Sequence, residues 1–251
     1  MTLLIDIGNT RLKWAELRDG VLSAQCAFAH SGADRARLIE EMQASVARPE
    51  RVLIANVGGA DIGAACVSAV RARWSIEPEL IVSTSHAAGV TNAYREPRKL
   101  GVDRWLAMIG GRAMMSGALC VVSVGTAMTI DGVAGDGRHL GGLIVPGPQL
   151  MVTSLLENTS EIAARATHPR TDDALFADHT FGAVHQGARH ALAALVMRAV
   201  DEIERTLSAR PTVVLTGGAC ERIASLLAVS YELVPDLVLR GLATIAAQPH
   251  A

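Results

Sequence analysis

The stretch Leu3-Leu4-Ile5-Asp6-Ile7-Gly8-Asn9-Thr10-Arg11-Leu12-Lys13 opens the chain, and Val121-Val122-Ser123-Val124-Gly125-Thr126-Ala127-Met128-Thr129 repeats its pattern in the second half. Each is an apolar run, one polar residue near its end, a glycine turn and a return run. Continuous apolar runs mark strands buried on both faces, and glycine lets the backbone reverse tightly with its amides close together. Around the first stretch, strands are expected at 3–6, 11–17 and 21–28, with Asp19-Gly20 as a hairpin turn. A helix capped by Asp34 follows through Leu38, Ile39, Met42 and Val46, then a strand at 52–55 running into Asn56-Val57-Gly58-Gly59. A further helix and a strand near 80–82 complete this part.

The same order recurs around the second stretch. Strands are expected at 119–124, 128–133 and 139–145, helices at 149–157 and 183–207, and a strand at 212–215 that ends in Thr216-Gly217-Gly218. A helix, a short strand at 231–234 and a helix from Pro235 close the chain. Both glycine turns and both Gly-Gly strand ends align across the halves, so a duplicated βββαβαβ unit is the economical reading, with a period of roughly 115 residues. This divides the chain into domains 1–116 and 117–251 that face one another, with ligand expected beside the strand ends in the cleft between them.

Composition narrows the partners. The 251 residues carry a net charge of −2 and only 3% aromatic residues, so the core is aliphatic, and both the basic balance and the stacking platforms of nucleic-acid binders are missing. Residues 113–130 are uncharged, yet Gly117, Ser123, Gly125, Thr126 and Thr129 within them argue for helix end, strand and turn instead of a membrane span. Cys26, Cys66, Cys120 and Cys220 have neither metal-ligand nor disulfide-scaffold spacing and read as reduced thiols. With Asp6 inside the first apolar run, no export signal is visible, and a cytoplasmic location is expected.

Several motifs carry chemistry. The turn from Asp6 to Lys13 can form an anion nest, with Asp6 placed to hold Mg²⁺ directly or through water and Lys13 within reach of a phosphate oxygen. Taken alone it is equally a plain hairpin with an exposed acid; the second glycine turn at 125–126 makes the pair a candidate phosphate clamp. Thr216-Gly217-Gly218, entering a helix, suits a nucleoside. A second cluster, Tyr94-Arg95-Glu96-Pro97-Arg98-Lys99-Leu100-Gly101-Val102-Asp103-Arg104, precedes an apolar helix. Its cations suit an anionic acceptor, Arg104 offers a planar fork, and the Asp103 carboxylate could accept a hydroxyl proton. The plain alternative is ordinary helix-start chemistry. P-loop and Rossmann fingerprints are absent, His179, His185 and His190 do not share a helical face, and no nucleophile elbow occurs.

Five motifs in order then resemble a known family, the type III pantothenate kinases of the acetate kinase, sugar kinase, Hsp70 and actin superfamily. They are Asp-x-Gly-Asn-Thr at 6–10, Gly-Val-Asp-Arg at 101–104, Gly-Thr-Ala-x-Thr at 125–129, Gly-Gly-Leu-Ile-x-Pro-Gly at 141–147 and Thr-Gly-Gly at 216–218. The resemblance implies a duplicated ribonuclease H-like (actin-like ATPase) α/β fold and MgATP-dependent phosphorylation of pantothenate to 4′-phosphopantothenate, the first step towards coenzyme A. It implies that Asp6, Ile7, Gly8, Asn9, Thr10, Arg11, Leu12, Lys13, Thr126, Gly217 and Gly218 line ATP. Tyr94, Gly101, Val102, Asp103 and Arg104 would hold pantothenate, with Asp103 as the base.

It further implies a homodimer in which Thr180 of one subunit completes the other's pantothenate pocket, and the apolar segment 191–200 is the expected dimer surface. A monovalent cation, K⁺ or NH₄⁺, is implied at the position of Ser123, where many members of the family carry aspartate. A neutral hydroxyl is a weaker ligand there. Two other readings remain open at this stage: the same fold acting on another acceptor, and a nucleotide-binding regulatory accessory protein.

Overall fold

The computed structural model describes residues 1–29, 35–166 and 174–248. Contacts divide the chain into two compact units, the first comprising Met1–Ser116, Asp136–His139 and the segment from Asp236 onward, the second Gly117–Gly135 and Leu140–Pro235.

In the first unit, strands β1 (Thr2–Ile7), β2 (Arg11–Arg18), β3 (Val21–Leu22), β4 (Cys26–Ala29), β5 (Arg51–Asn56) and β6 (Glu79–Leu80) form one sheet in the order β3-β2-β1-β5-β6, with β4 also on β2. β1 runs antiparallel to β2 and parallel to β5, which sets Asp6 between Lys13 and Ala55. Both faces of β1 are buried, as its unbroken apolar run requires. Leu3, Ile5 and Ile7, with Leu12, Trp14, Val52 and Ile54, pack against Met42 of α1 (Arg35–Ser45) and Ile62, Cys66 and Val70 of α2 (Ala60–Trp74). Leu4, Ala15, Leu53 and Ala55 face Val102 and Leu106 of α3 (Val102–Met114). Asp6 follows Leu4 by two residues and therefore shares the α3 face.

The single strand expected at 21–28 is two. β3 pairs Leu17 with Leu22, whereas β4 pairs Trp14 with Cys26, a register shifted by one residue, so a bulge lies between them. Ser23 anchors the bulge: its amide donates to the Glu16 carbonyl at 2.9 Å and its Oγ accepts the Glu16 amide at 3.0 Å. The Asp34 cap lies outside the described residues. A small hairpin, β7 (His86–Ala87) with β8 (Val90–Thr91), was not anticipated.

The second unit repeats the sheet topology. Strands β9 (Leu119–Val124), β10 (Ala127–Val133), β11 (His139–Pro146), β12 (Thr212–Thr216) and β13 (Tyr231–Leu233) lie in the order β11-β10-β9-β12-β13, with β9 antiparallel to β10 and parallel to β12. The helices are α4 (Pro148–Glu157), α5 (Ser160–Arg165), α6 (Thr180–Leu207) and α7 (Glu221–Ala224). Leu192, Val196, Val200 and Ile203 of α6 pack on Cys120, Val122 and Ile130. Those residues form the helix face turned to this unit's own core, while Ala191, Ala194 and Arg198 of the expected dimer surface at 191–200 stay exposed.

The last helix, α8 (Leu237–Ala246), groups with the first unit, although the sequence reading assigned 117–251 as a whole to the second domain. Its Leu239 and Leu242 join Leu4, Leu53 and Leu106, and Gly241 lies so close to the Leu106 carbonyl of α3 that a methyl group there would collide with it. All four thiols are free, and burial pushes those of Cys66 and Cys120 up to about 12, which keeps them protonated and inert.

Candidate functional site

The C-terminal end of β1 is where the first unit gathers its chemistry. The Gly8 amide donates to the Arg11 carbonyl at 2.9 Å, closing a turn whose Asn9, Thr10 and Arg11 are exposed. A second turn meets it from β5: the Val57 amide donates to the Ile7 carbonyl at 2.8 Å, and Asn56 brackets the following residues, accepting the Gly58 amide and donating to the Gly59 carbonyl. Ile7 and Leu12 are fully buried in the core. Of the residues expected to line ATP, these two have only backbone to offer.

Asp6 is 6% exposed, and its carboxyl is raised from 3.8 to about 6. Burial is the main cause; Lys13, opposite it on β2, pulls the other way, and the negative charge of Asp103 pushes it higher. Two carboxylates that feel one another across a partly dry site form a hard oxygen donor set suited to a divalent cation. Among the described residues no group of three His, Cys, Asp or Glu side chains is placed to hold a metal. An ion here would complete its shell with water and phosphate oxygens, as Mg²⁺ commonly does.

Asp103 reaches this point because Val102 and Leu106 seat the first turns of α3 on the sheet. Its Oδ1 accepts the Arg104 amide at 2.9 Å and lies over Gly101, where a side-chain carbon would come within 2.6 Å of it. Arg104 is only 5% exposed. Its Nη1 donates to the Tyr94 hydroxyl at 3.0 Å, with the guanidinium 5.7 Å from the Tyr94 ring centre. The preceding loop is internally braced: Asn92 accepts the Tyr94 amide and donates to the Thr84 and Pro97 carbonyls, and Ser83 donates to the Leu100 carbonyl. Lys99 pairs with Glu96, whereas Arg95 and Arg98 stand exposed on the same loop as Tyr94.

The second unit builds a matching turn that is one residue shorter. The Gly125 amide donates to the Ala127 carbonyl at 2.9 Å, which leaves Thr126 exposed at the apex. The Gly147 amide, at the start of α4, donates to the Thr126 carbonyl at 2.8 Å. From β12, the Ala219 amide donates to the Val124 carbonyl, and Gly217, at φ 96°, fits under Val124 where no side chain could; Gly218 is exposed. Ser123 pairs in register with Thr129 on one side and Thr216 on the other, so three hydroxyls stand side by side. Thr180 is the first residue of α6, half-buried.

Tyr94, Gly101, Val102, Asp103 and Arg104 thus converge with Asp6 and Lys13 in the first unit, while Ser123, Thr126, Thr180, Gly217 and Gly218 belong to the second. Sequence reasoning missed Ser83, Asn92 and His139. Asn92, ahead of the loop that holds Pro97 and Gly101, is the kind of turn residue that could have been flagged; His139, read only as a strand start, offered no local signal.

The sequence profile of the type III pantothenate kinase family matches residues 2–202. A relative from Nitrosococcus oceani named type III pantothenate kinase is 37% identical, covering 98% of this chain and 94% of its own. Another of the same name from Aromatoleum aromaticum is 37% identical with full coverage of both chains. Among solved structures, the activator of 2-hydroxyisocaproyl-CoA dehydratase from Clostridium difficile, with bound ADPNP, superposes with a TM-score of 0.56 at 15% identity, covering 98% of this chain and 92% of that one. The last likeness is one of fold, and the fold is that of the actin-like ATPases.

Proposed function

The chain belongs to the type III pantothenate kinase family, and we propose that it transfers the γ-phosphoryl group of ATP to the terminal hydroxyl of pantothenate, the entry to coenzyme A biosynthesis. The observation that carries the reading is the coupled pair Asp6 and Asp103, with Arg104 and Tyr94 joined beside them. In this reading Asp103 accepts the hydroxyl proton as the acceptor oxygen bonds to the γ-phosphorus and ADP leaves. Arg104, held by Tyr94, meets the carboxylate of pantothenate, and exposed Arg95 and Arg98 draw that anion in. The amides of the turn at 8–11 and Lys13 take the phosphates; Thr126, Gly217 and Gly218 take ATP on the second unit.

Asp6 would hold Mg²⁺, directly or through water, and the ion would offset phosphate charge when bound. For the monovalent cation, K⁺ or NH₄⁺, the candidate ligands are the hydroxyls of Ser123, Thr129 and Thr216, a neutral set that binds more weakly than a carboxylate. Homodimerisation is supported by apolar side chains of the second unit left in solvent: Ile144 is 62% and Phe176 88% exposed, with Leu143 and Leu150 also open. Thr180 is then the residue proposed to enter the partner's acceptor pocket. A cytoplasmic location fits the four free thiols, and among the described residues no helix is long and apolar enough to cross a membrane.

The test is mass-spectrometric detection of 4′-phosphopantothenate from pantothenate and MgATP, with Na⁺, K⁺ or NH₄⁺ as the sole monovalent cation. Product that grows with K⁺ or NH₄⁺ is expected. No product with any cation, from folded dimeric protein, would overturn the reading.

A further inference from the structure

The tip of the β10–β11 hairpin, Asp136–His139, groups with the first unit and not with the sheet its strands build. The tip is shaped by Asp136, whose Oδ1 accepts the Arg138 amide at 3.0 Å. It is fastened to β8: the Thr91 amide donates to the Gly137 carbonyl at 3.0 Å, and Thr91 bridges to Arg138. The next residue, His139, is 2% exposed. Its Nδ1 accepts the Ala93 amide at 3.4 Å, and its ring lies within 11° of parallel to the Tyr94 ring, centroids 6.2 Å apart. Tyr94 in turn accepts from the Arg104 guanidinium.

We propose that His139 is a positioning residue for the acceptor site, fixing the Ala93–Tyr94 backbone and the Tyr94 ring so that the Arg104 fork is aimed at the acceptor's carboxylate. This rests on the pantothenate kinase reading for the identity of the acceptor. The chemistry demanded of the position is specific: a flat ring to lie along tyrosine and, in the same group, an acceptor for a backbone amide. A neutral imidazole with its proton on Nε2 supplies both. The segment bearing it, Asp136–His139, belongs to the first unit although it lies far along the chain, so the loop at 92–104 is held by residues distant in sequence. His139 acts only through Tyr94 and touches no reacting atom.

Steady-state kinetics on the full chain test this, comparing wild type with His139→Asn, which keeps an acceptor but loses the ring, and His139→Phe, which keeps a ring but loses the acceptor. For each, the KM for pantothenate is expected to rise by about tenfold while kcat stays within about threefold and the KM for ATP is unchanged, the pattern of lost ground-state positioning. In a Tyr94→Ala background the same changes at 139 are expected to add nothing, since the residue through which they act is gone. An unchanged pantothenate KM, an equal rise in the ATP KM, or effects that add in the Tyr94→Ala background would overturn the proposal. Hydrogen exchange on the wild-type protein gives a readout independent of both variants and turnover. A slowly exchanging Ala93 amide is expected, and exchange at the rate of an open loop would overturn the proposal even if pantothenate is the wrong acceptor. Failure of the kinase reading is separately visible, as wild-type protein that makes no phosphopantothenate.

Discussion

Replacing Asp6 by asparagine should stabilise the protein and disable it at once. Ionised Asp6 is costly in the fold, because its carboxyl rises from 3.8 to about 6 on burial beside Asp103. A rise of this size corresponds to about 3 kcal/mol. The sign follows from linkage: a raised acid favours the fold while protonated, so the cost is absent below the unfolded value of 3.8, grows through the window up to about 6, and is complete above it. Asparagine keeps the shape without the charge. In EDTA and without nucleotide, Asp6→Asn is therefore expected to be more stable than wild type by up to about 3 kcal/mol at pH 7.5, and by only about 1 kcal/mol at pH 4.5. Urea titrations at the two pH values read this directly. MgATP-dependent turnover should fall by at least about a hundredfold, the loss common when a group aimed at developing charge is removed. A variant less stable than wild type at pH 7.5, or a difference that does not change with pH, would refute the argument that Asp6 is an ionised acid held against its solvation.

The same coupling predicts that Asp103→Asn lowers the Asp6 carboxyl, moving the acid limb of the kcat/KM profile to lower pH, while turnover drops by about 10²–10⁴ with nucleotide affinity retained; turnover within threefold of wild type would exclude Asp103 as the base. Gly101→Ala puts a methyl carbon 2.6 Å from the Asp103 oxygen, so kcat should fall without loss of a cooperative melt; unchanged kcat would mean the carboxylate position is not critical. Ser123→Asp adds a carboxylate to the hydroxyl row and should lower the concentration of K⁺ or NH₄⁺ needed for half-maximal rate; an unaltered cation titration would remove that position from the cation site. Gly217→Ala, at φ 96° and under the Val124 backbone, should be destabilised by a few kcal/mol in a denaturant titration, and near-wild-type stability would show that β12 and β9 can separate there.

Both glycine turns were legible because their signals are local. An apolar run that buries both faces, followed by glycine, has few structural solutions, and Thr2–Ile7 and Leu119–Val124 take the expected one. What the sequence hid depends on individual hydrogen bonds, on elements too short for periodicity, or on partners far along the chain. The bulge between Val21–Leu22 and Cys26–Ala29 is set by hydrogen bonds between Ser23 and Glu16, and two-residue strands such as His86–Ala87 are too short for any periodicity to register. Helix Leu237–Ala246 is apolar enough to pack on either sheet; the small surface around Gly110 and Gly241 decides, and small residues announce no partner. The same blindness applies at the site. Ile7 and Leu12 fall inside the motif, yet their alternation turns them into the core, while His139, outside every motif, lies against Tyr94.

The duplication makes the division of labour between the halves readable residue by residue. Asp6, Lys13 and Ala55 of the first sheet occupy the register positions of Ser123, Thr129 and Thr216 of the second. One half has kept an acid and a base across the same rungs where the other has three hydroxyls. Asp103 and Arg104 add a further ion pair's worth of charge to the first half. Glycine turns, by contrast, are present in both, and both are buttressed by a hydrogen bond from an amide just beyond the strand parallel to the first strand, Val57 donating to the Ile7 carbonyl and Ala219 to the Val124 carbonyl. Backbone cradles are thus duplicated while titratable chemistry is not. The consequence is that pH dependence should reside in the first unit alone: substitutions at 123, 126 or 129 should shift nucleotide and cation affinity without moving the apparent pKa of turnover. Substitutions at 6 or 103 should move it. A pH profile displaced by Thr126→Ala would contradict this assignment, because nothing at that turn carries a proton to lose.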